Sequence, residues 1–407
     1  MAQNKIIQTI LNTHYSDYAR KYKQPIRVIK AIEAQQQCQR AENGISYYCC
    51  PEDGERKEIY HSCRNKGCTV CGERKQATWL ETQKERLLNC AHFHLVFTLP
   101  HEYQQLWLYN RKWFIGAQFN VVNETLKDLL LGSSYKGKCY EGSLNAMPGF
   151  ISTLHTWGRA LNLHPHIHVL ITAGGLDSEG NWKAVENDFL LPVKLVKSLY
   201  RGKFQAKIKE YLLSDEINLP KHQTKEELLK IHHDLYKKEW SIRIQEKYEH
   251  GTGVLIYLSR YLGSSPIKPD QIKLINHQRE VEFSYWSHRE KKQKKERLTI
   301  DVFLKKYLMH QSEPRVHTVR YYGIYGSQAK SKRKDCETRL GKSKLQKETL
   351  LDSLINNAVK VICPCCGGAM TLICVTIKRW KLKNPLYRRH FETKGSLSDI
   401  LSPMPSG

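Results

Sequence analysis

Residues 151–171 read ISTLHTWGRALNLHPHIHVLI, and the spacing of their histidines decides how the rest of the chain is read. His166 and His168 flank one bulky apolar residue. Side chains repeat every second residue on a β-strand, so both imidazoles leave one face while Ile167 and Val169 turn towards a core. Two neutral imidazoles so placed can share one divalent cation. His155 stands eleven residues before His166, far enough back for the chain to turn and present a third nitrogen. Three histidines leave coordination positions for a substrate phosphate. The pair alone is a weak signal, because the chain has 18 histidines and His92-Phe93-His94 repeats the pattern. A second feature adds weight: residues 253–263, GVLIYLSRYLG, read as a helix with Tyr257 and Tyr261 at i and i+4 on one face.

Other stretches join these in order: HSCRNKGCTVC from His61, HFHLVFTLP from His92, LHTWGRALNLHPHIHVLITAGG from Leu154, YRGKF from Tyr200, YLSRY from Tyr257 and RYYG from Arg320. The ordered set resembles the HUH-type nucleases, and within them the two-tyrosine rolling-circle transposases of insertion sequences, which carry an amino-terminal transposase zinc-binding domain. The resemblance implies an α+β fold: a HUH core with a central antiparallel sheet flanked by helices, a small zinc-binding domain and a basic carboxy-terminal region. It implies Mg2+ or Mn2+ held by His155, His166 and His168, with Tyr257 and then Tyr261 as nucleophiles. His94, on a strand that this fold sets beside the His166/His168 strand, and His164, on the same alternation, are rivals for the third ligand. The implied activity is nicking and rejoining of single-stranded DNA at mobile-element ends through a 5′-phosphotyrosine intermediate. Plasmid relaxases and rolling-circle replication initiators share this chemistry. Outside enzymes, the alternative is a non-catalytic zinc-dependent DNA-binding regulator.

Composition points the same way. Across 407 residues, 65 Lys and Arg against 40 Asp and Glu give a formal charge of +25. An enzyme of small metabolites has no use for that excess, whereas a protein that tracks phosphodiesters releases counterions by supplying it. The expected partners are single-stranded DNA and element termini, with a homo-oligomer and host replication factors left open. No run has the order of a signal peptide and no apolar window reaches membrane-spanning length, so a cytoplasmic, nucleoid-associated protein is expected.

Thirteen cysteines, bunched in short clusters, favour metal binding over disulfides in a reducing compartment. Cys63-x4-Cys68-x2-Cys71 offers three thiolates on a tight basic loop, and Cys50 lies thirteen residues earlier. Cys50, Cys63, Cys68 and Cys71 suit a tetrahedral structural Zn2+. The fourth position stays open, because Asp53 stands where the resembling family has the second cysteine of a CxxCG knuckle. Cys38, Cys49, His61 and Asp53 are the alternatives, either for this site or for a second one. Arg64 and Lys66 would make the loop a DNA-reading module.

Three successive segments are expected: 1–90 as the zinc-binding domain, 91–265 as the catalytic core and 266–407 as the basic region. Within the core, His92 to Leu99 reads as a strand ended by Pro100, and Leu106 to Leu131 as two amphipathic helices with Gly132 as C-cap. Gly174-Gly175 reads as a sharp turn, Pro192 as a helix start and Trp240 to Gln245 as a strand. Arg260, Arg320 and Tyr321 are candidate DNA contacts, as is the run REKKQKKER at 289–297 behind Tyr285 and Trp286. Residues 327–347 read as a linker. Cys363-Pro-Cys365-Cys366 resembles half of a zinc ribbon, with Cys336 and Cys374 as loose options for the other half.

Overall fold

In chain order the computed structural model has helices α1 (Ile6–Lys21) and α2 (Ile26–Gln36), strands β1 (Gly44–Cys49) and β2 (Arg56–Tyr60), helix α3 (Gly72–Arg86), strand β3 (His92–Thr98) and helices α4 (Gln104–Tyr109) and α5 (Arg111–Leu130). Strands β4 (Met147–Trp157), β5 (Leu163–Leu176) and β6 (Trp182–Ala184) follow, then helices α6 (Val193–Leu213) and α7 (Lys225–Lys237), strand β7 (Ile242–Tyr248) and helix α8 (Thr252–Ser259). Strands β8 (Ile272–Ile275), β9 (Glu280–Ser287) and β10 (Lys292–Thr299), helix α9 (Ile300–Leu308), strand β11 (Val319–Gly323), helix α10 (Lys330–Leu340) and strand β12 (Thr371–Ile377) complete it. The structure describes residues 5–132, 142–186, 188–249, 252–259, 265–275, 277, 279–287, 290–341 and 361–377.

The chain parts into two compact units, Met1–Glu73 with Glu348–Gly407, and Arg74–Lys347. This differs from the expected division at 90 and 265. Strands β8 to β11 lie in the same unit as the histidine-bearing sheet, which β11 joins while β8, β9 and β10 form a separate three-stranded sheet; β12 instead pairs antiparallel with β1 and makes the order β12-β1-β2. That pairing satisfies the open edge of a two-stranded hairpin, a long-range event with no local signature in the sequence.

The larger unit is organised by an antiparallel sheet in the order β11-β4-β5-β3-β7, with β6 beside the end of β5. Its fold is α+β. One face carries Phe93, Leu95 and Phe97 from β3, Phe150 and Leu154 from β4 and Ile167, Val169 and Ile171 from β5. Phe114, Phe119, Val122 and Leu126 of α5 and Val196, Tyr200 and Phe204 of α6 close over them. The helices expected across 106–131 are α4 and α5, and Gly132, at φ +62°, follows the last turn. The opposite face carries Ile151 and Leu170, which pack with Leu255 and Leu258 of α8 and with Tyr325.

Two expectations give way. Gly174-Gly175 is not a turn but lies inside β5, where a Cβ on Gly174 would stand 2.7 Å from the Lys183 carbonyl oxygen and one on Gly175 2.5 Å from that of Met147. Glycine is needed there for close strand approach. The expected linker at 327–347 contains α10, whose Cys336 is buried and packs with the sheet's second face. Cys336 and the partly buried Leu340 anchor this highly charged run as a helix, which composition did not disclose. The basic run at 289–297 contributes to β10, paired in register with β9 from Lys292 opposite Ser287 to Thr299 opposite Glu280.

Candidate active site and zinc clusters

Strand β5 is buried on both faces along almost its whole length. A strand so placed ordinarily reads as continuous apolar sequence, so imidazoles on one of its faces are the anomaly that needs a chemical reason. The β4–β5 hairpin turns over residues 158–162 and sets His155 directly opposite His166, with Thr153 opposite His168. The eleven-residue spacing is therefore the span of one tight hairpin. His155, His166 and His168 are 0%, 9% and 3% exposed, and their ligand nitrogens lie within 4.8 Å of one another.

Burial keeps these rings neutral. His166 is pulled down to about 4 by burial. His155 and His168 are pushed well below the ordinary histidine range by burial and, after it, by their histidine neighbours. A neutral imidazole is the form that binds a metal. Hydrogen bonds also select the tautomers. His166 Nδ1 donates to the His164 carbonyl at 2.5 Å, which leaves Nε2 as the lone-pair nitrogen. Gln245 Oε1 lies 2.7 Å from His94 Nδ1, and His94 Nε2 lies 2.8 Å from His168 Nδ1. With Gln245 accepting from His94, His94 in turn accepts from His168, so that His168 Nε2 holds the lone pair. His94 thus stands behind His168 and orients it. Gln245 was missed in the sequence, because its partnership arises only when β7 pairs with β3.

Tyr257 lies on α8, whose buried Leu255 and Leu258 pack against Ile151 and Leu170 on the histidine-bearing face. Leu170 is two residues along β5 from His168, on the same face. Ser259, at the end of α8, accepts a hydrogen bond from Gln76 Nε2 at 3.2 Å. Tyr261 and Arg260 lie outside the described residues.

The same face holds a second buried histidine partnership, of His92 with Tyr325 (Nε2 to Oη, 2.8 Å). Burial pulls His92 down to about 4 and His310 to about 3. In the unfolded chain each returns to an ordinary value near 6.5. Below that pH the unfolded chain takes up protons that the fold refuses, so stability is full at neutral pH and falls as pH drops from about 6.5 towards 4. His92 alone contributes about 3 kcal/mol to this loss. Urea unfolding of the larger unit between pH 7.5 and 4.5 should show that decline, and a flat profile would contradict it.

In the smaller unit the structure brings Cys38, Cys63, Cys68 and Cys71 together. The expected set had Cys50 in place of Cys38. Cys50 instead joins Asp53, Cys363 and Cys366. The reason is local: α2 ends just before Cys38, and the amide of Cys63 donates to Cys38 Sγ at 3.3 Å while that of Asn65 donates to Cys63 Sγ at 3.4 Å. Amides aimed at sulfur favour thiolate. His61 is taken by Ser46 (Nε2 to Oγ, 2.8 Å), and Cys49 lies against the Cys50 and Gly54 carbonyls. Cys336 is in the other unit's core, and Cys374 sits on β12 opposite Tyr47.

Among the expected DNA contacts, Arg64 and Lys66 are exposed on the loop between Cys63 and Cys68. Arg320 stacks over the Phe119 ring at 4.4 Å. Tyr321 accepts a hydrogen bond from Trp79 Nε1 at 3.0 Å and lies under Arg86, so its ring is engaged in packing. Among the described residues no helix is long and apolar enough to cross a membrane.

Comparison with known proteins fits this geometry. Residues 149–333 match the family described as "Putative transposase", and residues 10–99 match the transposase zinc-binding domain. The "Putative transposase y4qJ" of Sinorhizobium fredii is 28% identical over 324 residues, 78% of each chain. The "Transposase for insertion sequence element IS801" of Pseudomonas savastanoi pv. phaseolicola is 27% identical over 290 residues, covering 69% of this chain and 66% of that one. The first match spans the histidine hairpin and α8 and the second spans the Cys38 cluster, so the chain is similar to transposases along its histidine-bearing sheet and to a transposase zinc-binding domain along its amino-terminal part.

Proposed function

We propose that the protein cuts and rejoins single-stranded DNA at the ends of a mobile element, with Tyr257 as the attacking group and Tyr261 as the nucleophile of a second cleavage. What carries this reading is the gathering of three buried, neutral imidazoles on the sheet face that α8, the helix of Tyr257, packs against.

The donor set fits a divalent cation. His155, His166 and His168 would hold it, and Mg2+ or Mn2+ bound there would supply positive charge against the scissile phosphate. The chain's own part is to fix geometry. The His164 carbonyl and the Gln245–His94 pair hold two of the rings with Nε2 facing the site. Tyr257 Oη forms a bond to phosphorus as the bond to the 3′ oxygen breaks. The phenolic proton leaves, the departing oxygen becomes a 3′-hydroxyl, and a 5′-phosphotyrosine conserves the phosphodiester for rejoining. Two tyrosines permit two successive cleavages, one holding each end. The basic zinc loop with Arg64 and Lys66 serves to grip DNA. The reaction belongs in the cytoplasm, where a replicating element exposes single strands.

Incubating the full chain with single strands of the flanking DNA and Mg2+ or Mn2+ should give a protein-DNA adduct that survives denaturation. Tyr257→Phe should lower it by about 100-fold or more. Undiminished adduct in Tyr257→Phe, Tyr261→Phe and the double variant would reject the assignment, and binding with no adduct under any condition would favour a non-catalytic regulator.

A further inference from the structure

Cys50-Pro51-Glu52-Asp53-Gly54 and Cys363-Pro364-Cys365-Cys366-Gly367 stand near opposite ends of the chain and share one spacing. They also share one backbone. Gly54 N–H donates to the Cys50 carbonyl at 3.0 Å, and Gly367 N–H to the Cys363 carbonyl at 3.1 Å. Cys50 N–H donates to the Glu55 carbonyl and Cys363 N–H to the Gly368 carbonyl, both at 2.8 Å. Gly54 and Gly367 each take φ +75°, where a side chain would be strained.

The β12–β1 pairing brings these two turns face to face. Cys50 Sγ lies 3.4 Å from Cys366 Sγ, and Cys363 Sγ lies 3.1 Å from Asp53 Oδ2. Amides of Cys365 and Gly368 aim at the sulfurs of Cys363 and Cys366, each at 3.4 Å. Two turns of this form, closing on four soft or anionic ligand atoms within 4.8 Å of one another, are how a protein builds a tetrahedral cation site.

We infer that Cys50, Asp53, Cys363 and Cys366 form a second metal site, for zinc or a similarly thiophilic divalent cation, separate from the Cys38 cluster. It fastens the returning carboxy-terminal strand to the amino-terminal hairpin, so the zinc-binding unit is completed by residues beyond the 10–99 match. Cys50 and Cys363 are buried while Asp53 and Cys366 are exposed, so this site opens to solvent on one side, whereas in the Cys38 cluster three of the four ligands are buried. The second metal should therefore be the first to leave.

The test is zinc stoichiometry by elemental analysis and native mass spectrometry of the full chain, with release to a chromogenic chelator followed in time. Wild type should hold two zinc ions and release them in two phases. Cys363→Ser with Cys366→Ser should hold one. Cys365→Ser, altered in the same turn but outside the ligand set, should hold two. Asp53→Cys should keep two and slow the faster phase by about tenfold, because thiolate is the softer ligand. One zinc in wild type, two in the double-serine variant, or unchanged fast release in Asp53→Cys would each overturn the site. The last variant decides the matter even where the serine variants fail to fold.

Discussion

His155→Ala should reduce cleavage of a single-stranded end substrate by roughly a thousandfold, and raising the Mn2+ concentration should not restore it. His94→Ala should reduce cleavage by about 10 to 100-fold, and added Mn2+ should restore much of it. The difference follows from position. His155 belongs to the set of three whose nitrogens converge, directly opposite His166, so its removal would take away a ligand of the proposed cation. His94 reaches the site through His168 Nδ1, so its removal frees that ring to turn or to change tautomer and weakens metal affinity without deleting a donor. Melting curves for both variants should show the sheet retained. Should His94→Ala prove the more damaging and resist metal, the third ligand is His94, and the hairpin register has been given the wrong chemical meaning.

How much of this was legible in the sequence depended on the range of the interaction. Alternation around His166 and His168 and along His92 to Leu99 reads as strands with their histidines on one face, because strand periodicity is local. The His155 spacing was legible as well, since a hairpin converts a short sequence offset into a cross-strand pair. Longer connections were hidden. Cys38 displaced Cys50 because the end of α2 sets it against Cys63, and Cys50 found Cys363 and Cys366 only through the pairing of β12 with β1. The knuckle spacing shared by the two halves stood in the sequence, but Asp53 in a cysteine's place disguised it. Gln245 carried no pattern at all, as a glutamine becomes a histidine's partner only when strands meet.

Removing zinc from the Cys38 cluster should unfold the smaller unit while the larger one keeps its own transition. The smaller unit's apolar interior is modest: Ile7, Ile10 and Leu11 from α1, Val28, Ala31 and Ile32 from α2, with Ile45 nearby. The path from α2 into the cluster is held by one buried side chain, Gln8, whose Nε2 lies within 3.1 Å of the carbonyl oxygens of Gln35, Gln36 and Cys38. Cys38 therefore ties the helical pair to the Cys63–Cys71 loop, and a metal there does what a small core cannot. Structural zinc supplies about 10 to 16 kcal/mol of apparent binding energy near neutral pH, which is as large as the whole net stability of an ordinary domain. A chelator strong enough to strip the ion, or Cys63→Ser, should open the helical backbone at Arg20, Lys21 and Arg27 to cleavage by trypsin and remove the helical signal of α1 and α2. The sheet unit's urea transition should persist, since its core rests on β3, β4 and β5 against α5 and α6. If zinc is shown by elemental analysis to be gone and the amino-terminal helices still resist trypsin, the cluster is a passenger and the helices are held by their own packing.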